Sequence, residues 1–371
     1  MGYGVRLLEE KKRIVDELKR VVGEEGFSRA KNDHHAKRSP RPCGMTIHTA
    51  VGCRYRCVYC YIYDMGFPGT VSRYPLQPLE LALALALNPY VVPRATFAAY
   101  GAVTEPFVEE VRWYSVEVIQ TVNEYLALPS QVSTKSVIDD ALAQALRNAE
   151  PRISVLVTLV TIDRWKELEP YAPNPIERIE GMATARRHGL HVTLFLRPLI
   201  PTVIEREAGK LLKMVADAGI DKVVLGTLRV TPSILARLRA AGVGIEEIER
   251  RLPRKPRSRN DQVTIRGSDI KKIVAKIAQD YGFKVFESAC AANVDAHGEF
   301  CSICDFGPCG VKSAAPPCNE NDVRDLIEYL GYIAKDVDVY ENRIRVVLRA
   351  GDKRRLRYII EAVYRRRVEI V

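Results

Sequence analysis

Three cysteines stand close together in the run Gly52-Cys53-Arg54-Tyr55-Arg56-Cys57-Val58-Tyr59-Cys60-Tyr61, with three and then two residues between them. Thiolates are soft ligands that suit iron-sulfur clusters or zinc. The next cysteine in the chain is Cys290, so no near neighbour completes a set of four. A structural zinc is nearly always closed by four protein ligands, whereas three leave one corner of a metal centre open. An open corner points to chemistry rather than scaffolding. The bland alternatives are zinc or reduced cysteines in a loop.

A second group follows at Cys301-x2-Cys304-x4-Cys309-x8-Cys318, threaded with Gly307, Gly310 and prolines. It resembles an auxiliary cluster loop. Four thiolates close a site, so a second [4Fe-4S] cluster or a structural zinc is expected, with disulfides or unligated thiols as the remaining alternative. Cys290 or Cys43 can replace one member of the four. The net charge of +10 is concentrated in two runs, 250–259 and 353–367. Each is either a polyanion-binding surface or a solvated basic stretch.

The elements that must position these groups follow a rhythm. Short apolar or β-branched runs at 45–50, 95–101, 131–136, 153–160, 191–198 and 222–229 read as strands. Helical patterns lie between them at 79–87, 109–125, 137–148, 175–188, 204–218 and 233–241. Residues 79–87 alternate Leu with Ala and Glu like a strand, but their composition favours a helix. Six strand-helix units in series imply a parallel sheet with helices outside, either doubly wound or a closed or partial barrel.

Four parts are expected. Residues 1–42 form a helix at 3–22 and a basic loop, with His34 and His35 at the surface, and residues 43–242 form the α/β body. Residues 243–268 are a basic linker or insertion, and 269–371 are a Cys-rich extension ending in a small α/β unit. With 371 residues and 47% hydrophobic content the chain supports a packed core. No stretch approaches the roughly 20 apolar residues of a membrane span, and the first residues are charged and amphipathic rather than a signal peptide. No membrane partner and a cytoplasmic location are expected, where cysteines serve as ligands or thiols before disulfides.

The Cys-x3-Cys-x2-Cys spacing, with aromatic Tyr59 before the last cysteine, resembles the signature of the radical SAM enzymes. The resemblance implies a partial (β/α)6 barrel in which Cys53, Cys57 and Cys60 hold three irons of a [4Fe-4S] cluster and S-adenosylmethionine chelates the fourth. Shorter motifs over roughly 45–229 resemble the spore photoproduct lyase-like branch, labelled DNA repair photolyases. They are Thr104-Glu105-Pro106-Phe107, Ser133-Thr134-Lys135-Ser136, Thr161-Ile162-Asp163 with Leu168-Glu169-Pro170, and Arg197-Pro198-Leu199-Ile200-Pro201. By this resemblance Tyr59, Gly101, Thr104 and Glu105 lie at the cofactor, with 101–105 meeting its amino group and Lys135 and Ser136 near its carboxylate and ribose. A lysine at an apolar strand end also wants an anion on physical grounds. A salt bridge from Lys135 to Glu105 or Asp163 is the plainer alternative, as a helix N-terminal acid is for Glu169.

The chain departs from that branch in one respect. The lyases carry a cysteine hydrogen-atom donor soon after the cluster motif, and here no cysteine lies between Cys60 and Cys290. Cys290 is the candidate catalytic thiol, or else a buried structural one. The function expected is a radical SAM enzyme that generates a 5′-deoxyadenosyl radical against a nucleic acid, DNA or tRNA, with a ferredoxin- or flavodoxin-type electron donor. The alternatives are a peptide- or protein-modifying radical SAM enzyme with an auxiliary cluster, and a non-catalytic iron-sulfur protein that binds nucleic acid.

Overall fold

A computed structural model describes residues 1–40, 44–350 and 352–371; Cys43 lies outside them. Its centre is a parallel sheet of strands β1 (Met45–Ile47), β2 (Ala98–Tyr100), β3 (Ser130–Thr134), β4 (Ser154–Thr158), β5 (His191–Leu199), β6 (Lys222–Thr227) and β7 (Lys284–Phe286). Spatial order equals chain order throughout. With right-handed crossovers that order sends every connecting helix to the same face, and the sheet curls into an open barrel. Every residue of β4 is buried, the continuous apolar pattern of a strand covered on both sides.

The convex face packs against helices α1 (Tyr3–Asn32), α2 (Pro78–Leu87), α3 (Arg112–Leu126), α4 (Asp140–Ala149), α5 (Pro175–Arg187) and α6 (Ile204–Asp217). Val155, Val157, Leu194 and Val223 meet Ile119, Leu146, Met182 and Leu212 in the main core. Helix α2 explains its own strand-like pattern. Leu81 through Ala86 are all fully buried because α1 and α3 cover it from both sides, so its apolar residues need not keep to one stripe.

The first segment differs from expectation. Helix α1 runs on to Asn32 across a break at Gly23, whose φ of 69° interrupts the helix. His35 is not at the surface but fully buried. Its Nε2 accepts the His48 N–H at 3.1 Å, which puts the ring proton on Nδ1, 2.8 Å from Asp33 Oδ1.

The body also does not end at 242. Residues 243–268 are no linker: after α7 (Pro232–Ala240), Val243, Ile245, Ile248 and Ile265 are buried against Tyr55 and Tyr59 of the cysteine loop. Helix α8 (Ser268–Asp280) then leads into β7, which extends the main sheet. Helix α9 (Ala289–His297), inside the stretch expected only as a Cys-rich extension, fills the bore of the barrel. Its Ala291 and Ala292 pack on Leu156, Val224 and Phe286, and Asn293 Nδ2 donates to the Pro129 carbonyl at 2.9 Å. Alanines are what a helix needs to enter a bore already lined by Leu and Phe.

The remainder forms the small α/β unit as expected, strands β10 (Ala334–Val339), β11 (Arg343–Leu348) and β12 (Arg367–Ile370) with helices α10 (Glu320–Tyr329) and α11 (Lys353–Tyr364). Strands β8 (Phe300–Cys301) and β9 (Cys309–Gly310) make the hairpin that precedes it. Leu7 and Leu8 of α1 are buried in its core, so the unit is sealed by the first helix of the chain. Among the described residues no helix is long and apolar enough to cross a membrane.

Gly101, the first residue beyond β2, has φ +77°, and a Cβ there would lie 2.1 Å from the Ser133 carbonyl oxygen. Gly101→Ala is expected to lower stability by at least about 2 kcal/mol, read from the urea midpoint at unchanged slope. A midpoint equal to the parent's would contradict this close approach.

Candidate active site

The loop holding Cys53, Cys57 and Cys60 leaves the C-terminal end of β1, where the loops of such barrels meet. All three thiols line one cavity of about 380 Å³. Tyr59, Gly101, Thr104, Glu105 and Lys135 line it too. Ser136 stands behind the wall, its hydroxyl 2.8 Å from Tyr55 Oη and 3.2 Å from Glu105 Oε1.

Several side chains hold the loop from outside. Arg237 of α7 donates through Nε to the Val58 carbonyl at 2.9 Å and through Nη2 to the Cys60 carbonyl at 2.7 Å. Asp64 orients that guanidinium at 3.3 Å and accepts the Thr231 hydroxyl at 2.6 Å. Tyr63 Oη donates to the Cys53 carbonyl at 2.9 Å, and the Val58 N–H reaches the Leu168 carbonyl at 3.0 Å. The turns of the loop are thus fixed from outside by Arg237 and the Leu168 carbonyl and from within by Tyr63 and the Cys60 N–H, which meets the Cys57 carbonyl at 3.0 Å.

Beneath the loop lies a buried polar network. The Tyr59 hydroxyl donates to Glu169, whose other oxygen is 2.5 Å from Arg178 Nη2, with both side chains of that ion pair fully inaccessible. Arg178 Nη1 donates to the Thr158 carbonyl at 2.8 Å. Burial alone would raise the Glu169 pKa, but Arg178, Lys135 and the Tyr59 hydroxyl outweigh it and hold the carboxyl below its ordinary value. Glu169 is therefore a buried brace and not the helix N-terminal acid.

Lys135 makes neither of the salt bridges weighed for it. Glu105 accepts the Lys135 backbone N–H at 2.8 Å and the Thr134 and Ser136 hydroxyls, and Asp163 pairs with Lys210. The Lys135 ammonium sits 5.5 Å above the Tyr59 ring. Burial works to lower its pKa, yet Cys57, Glu169 and Cys60 overcome that and leave it raised. Burial pushes the thiols of Cys53 to about 12 and raises those of Cys57 and Cys60. Such a wall of soft donors facing a lysine suits a cationic metal group with an anionic co-ligand. Among the described residues no three His, Cys, Asp or Glu side chains converge on a single-ion site. A cluster with one thiolate per iron does not require that convergence.

The second cysteine group is rearranged relative to expectation. Cys301 and Cys309 face each other across the β8–β9 hairpin and share an apolar cluster with Phe97 and Val294. Cys309 is raised to about 11 by burial and by Cys301, Cys290 and Cys304, which brings Cys290 into the group. Cys318 is elsewhere, packed in the core of the C-terminal unit beside Arg366 and Asp322. The sequence spacing alone could not show this, because α9 returns Cys290 to the hairpin through the bore. Cys290 lies 3.1 Å from the Ser288 hydroxyl, and its neighbour Ala289 supplies the cavity wall.

Arg178 and Arg237 were not singled out from sequence. An arginine on an amphipathic helix reads as surface, and only the fold shows which one turns inward. Arg197 and Arg229 also line the cavity, side by side at its mouth.

Arg237→Ala is expected to leave the fold intact but to loosen the cysteine loop, measured as about tenfold faster amide hydrogen exchange over residues 57–64. Arg178→Ala should cost roughly 3–5 kcal/mol, because Glu169 is left buried without its partner. Arg178→Met combined with Glu169→Gln should cost much less in the same denaturation measurement.

No family model matches the chain. An uncharacterized protein, ORF301 of Acidianus two-tailed virus, is 24% identical over 202 residues, which are 48% of this chain and 65% of that protein, so the chain spans less than two thirds of its length. Among solved structures, a variant of spore photoproduct lyase with bound AdoMet and dinucleoside spore photoproduct superposes with a TM-score of 0.56 at 16% identity, covering 71% of this chain and 85% of that one. A second spore photoproduct lyase structure, complexed with the dinucleoside, gives 0.55 at 16% identity over 70% and 83%. The architecture of this chain is the partial radical SAM barrel of the spore photoproduct lyase structures.

Proposed function

We propose that the chain is a radical SAM enzyme that binds a [4Fe-4S] cluster through Cys53, Cys57 and Cys60, cleaves S-adenosylmethionine reductively and acts on a nucleic acid. The observation that carries the reading is the sharing of one cavity by the three thiols, Gly101 and Lys135 at the C-terminal end of the strands. When bound, the cluster supplies the single electron for the cleavage.

The chain's own residues then have definite tasks. Lys135 offers its ammonium to the cofactor carboxylate, and 101–105 offer backbone groups from a turn that Gly101 allows to lie against the Ser133 carbonyl. Tyr59, Glu169 and Arg178 keep the floor rigid. The apolar cluster of Val160, Ile200, Leu228 and Ile245 around the loop excludes water from the reaction.

A nucleic acid substrate is supported by charge at the mouth. Arg197 and Arg229 face the cavity, and Arg259 donates to the Tyr63 carbonyl at 2.8 Å, which sets the basic run 250–259 beside the cysteine loop. Within that run Arg250, Arg251 and Arg254 are matched by Glu247, Asp269 and Asp261, leaving Lys255, Arg257 and Arg259 for phosphates. The dinucleoside bound in the spore photoproduct lyase structures fits the same reading. We further assign Cys290, Cys301, Cys304 and Cys309 to a second [4Fe-4S] centre rather than to zinc, because the described residues lack the convergence a single ion needs, and propose an electron donor of the ferredoxin or flavodoxin type. In this organisation the catalytic body runs from β1 through α9.

Anaerobic reconstitution should give about eight irons per chain, and replacing Cys53, Cys57 and Cys60 by Ala should remove about four. Reduced protein should release methionine and 5′-deoxyadenosine, which the triple variant should not. Arg197→Glu with Arg229→Glu should weaken DNA or RNA binding at 50 mM salt about tenfold or more and flatten its salt dependence. Full cleavage by the triple variant would sink the cofactor assignment, and salt-independent or absent binding would sink the nucleic acid.

A further inference from the structure

The molecule has a second cavity, of about 660 Å³, that the barrel chemistry does not use. Its wall includes Gly44 and Phe97, the residues just before β1 and β2, so it opens at the N-terminal ends of the strands. The cofactor cavity is built on 101–105, beyond the opposite end of β2. A phosphate or nucleotide held here is not the substrate of the cysteine loop.

The opposite wall is α11, which presents Lys353, Arg354 and Arg357 to the cavity. Arg365 and Arg367, also at its edge, are matched by Glu299 and Asp305. Lys353, Arg354 and Arg357 have no carboxylate within salt-bridge distance among the described residues. Glu361, on the same wall, accepts the Val368 N–H at 3.2 Å. Burial lifts its carboxyl to about 7, with Arg357 and Arg367 pulling the other way, so it does not fully neutralise the wall at neutral pH. Like charges gathered in a recess are stable only against an anion or bulk water.

Flat rings stand beside the cations. Tyr90 and Tyr358 meet edge to face with centroids 5.8 Å apart, and the Arg354 guanidinium lies 5.9 Å over Tyr358. The start of α11 is not the attraction, because Asp352 already accepts the N–H groups of Arg354 and Arg355 at 3.0 Å. The cationic side chains and the rings are. The volume falls in the ordinary range for a small-molecule site and accommodates one nucleotide. Arginine forks suit phosphate oxygens, and tyrosine faces suit a base.

The geometry points to a second binding site, on the N-terminal face of the barrel, for a nucleotide phosphate with its base against Tyr90 and Tyr358. The ligand is either a free nucleotide or one nucleotide of a polynucleotide. Cys304 lies on the same wall, so the occupant touches the second cysteine group. The site does not depend on what the radical chemistry acts upon.

The test uses anaerobically reconstituted protein and two probes, ATP and a single-stranded DNA dodecamer, each titrated by calorimetry or anisotropy. Arg354→Glu with Arg357→Glu should weaken at least one probe tenfold or more, while S-adenosylmethionine binding stays within twofold. Loss of ATP binding identifies a free nucleotide; loss of dodecamer binding alone identifies a polynucleotide. If neither probe binds, if the double variant binds both like the parent, or if S-adenosylmethionine displaces the probe, the site is refuted. Should the double variant lose its circular dichroism melt, Lys353→Gln with Arg357→Gln carries the same test. Cleavage of S-adenosylmethionine by the same preparation reports the barrel separately, so failure of one reading is distinguishable from failure of the other.

Discussion

The carboxylate of Glu169 is buried in the barrel wall and binds two groups that have no other reason to be near each other. It accepts the hydroxyl of Tyr59 from the cysteine loop and pairs with Arg178 from helix α5. Arg178 in turn holds the Thr158 carbonyl at the end of β4. Cysteine loop, strand end and outer helix are therefore one body. A buried pair of this kind contributes little net stability compared with apolar packing, but removing one member strands the other, so it fixes an arrangement rather than strengthening it. The same carboxylate also acts at a distance on Lys135, whose ammonium it helps keep charged.

Everything else at the mouth supports that arrangement from above. Arg237 holds two carbonyls of the loop, and the segment 243–265 covers it with isoleucines and valines. A loop that must carry a metal group cannot depend on that group for its shape without becoming inseparable from it in folding. Here the backbone of the loop is hydrogen-bonded to the barrel at Val58 and Cys60 and to the loop's own Tyr63 at Cys53.

The two ends of the barrel differ in kind. At the C-terminal end, cysteines, a lysine and apolar walls meet in a recess, and arginines stand at the rim. At the N-terminal end, α9 plugs the bore and α11 brings a row of cations over it. The two basic runs of the sequence, which look alike in composition, go to opposite ends. One therefore stands beside the cysteine loop and the other does not.

Much of this was legible in the chain. The spacing of Cys53, Cys57 and Cys60, the six-fold alternation of strands and helices, and the small terminal unit are local patterns, and local patterns survive folding because period and ligand spacing are properties of neighbouring residues. What sequence could not decide depends on distance through space. Which cysteines stand near Cys309 is settled by α9 re-entering the bore, which sets Cys290 within electrostatic reach of it while Cys318 packs in the C-terminal unit. The burial of His35, Glu169 and Arg178, and the reach of the partly exposed Arg237 to the cysteine loop, are settled by which faces turn inward, and a charged residue on a helix carries no mark of that. Residues 243–268 look like a linker because they are rich in arginine and proline, yet their few isoleucines and valines close the mouth. The sequence by itself determined which ligand chemistry the loop offers, since three soft donors are written within eight residues. Only the tertiary structure decided what surrounds that chemistry, because burial and charge pairing are relations between segments that the chain order keeps apart.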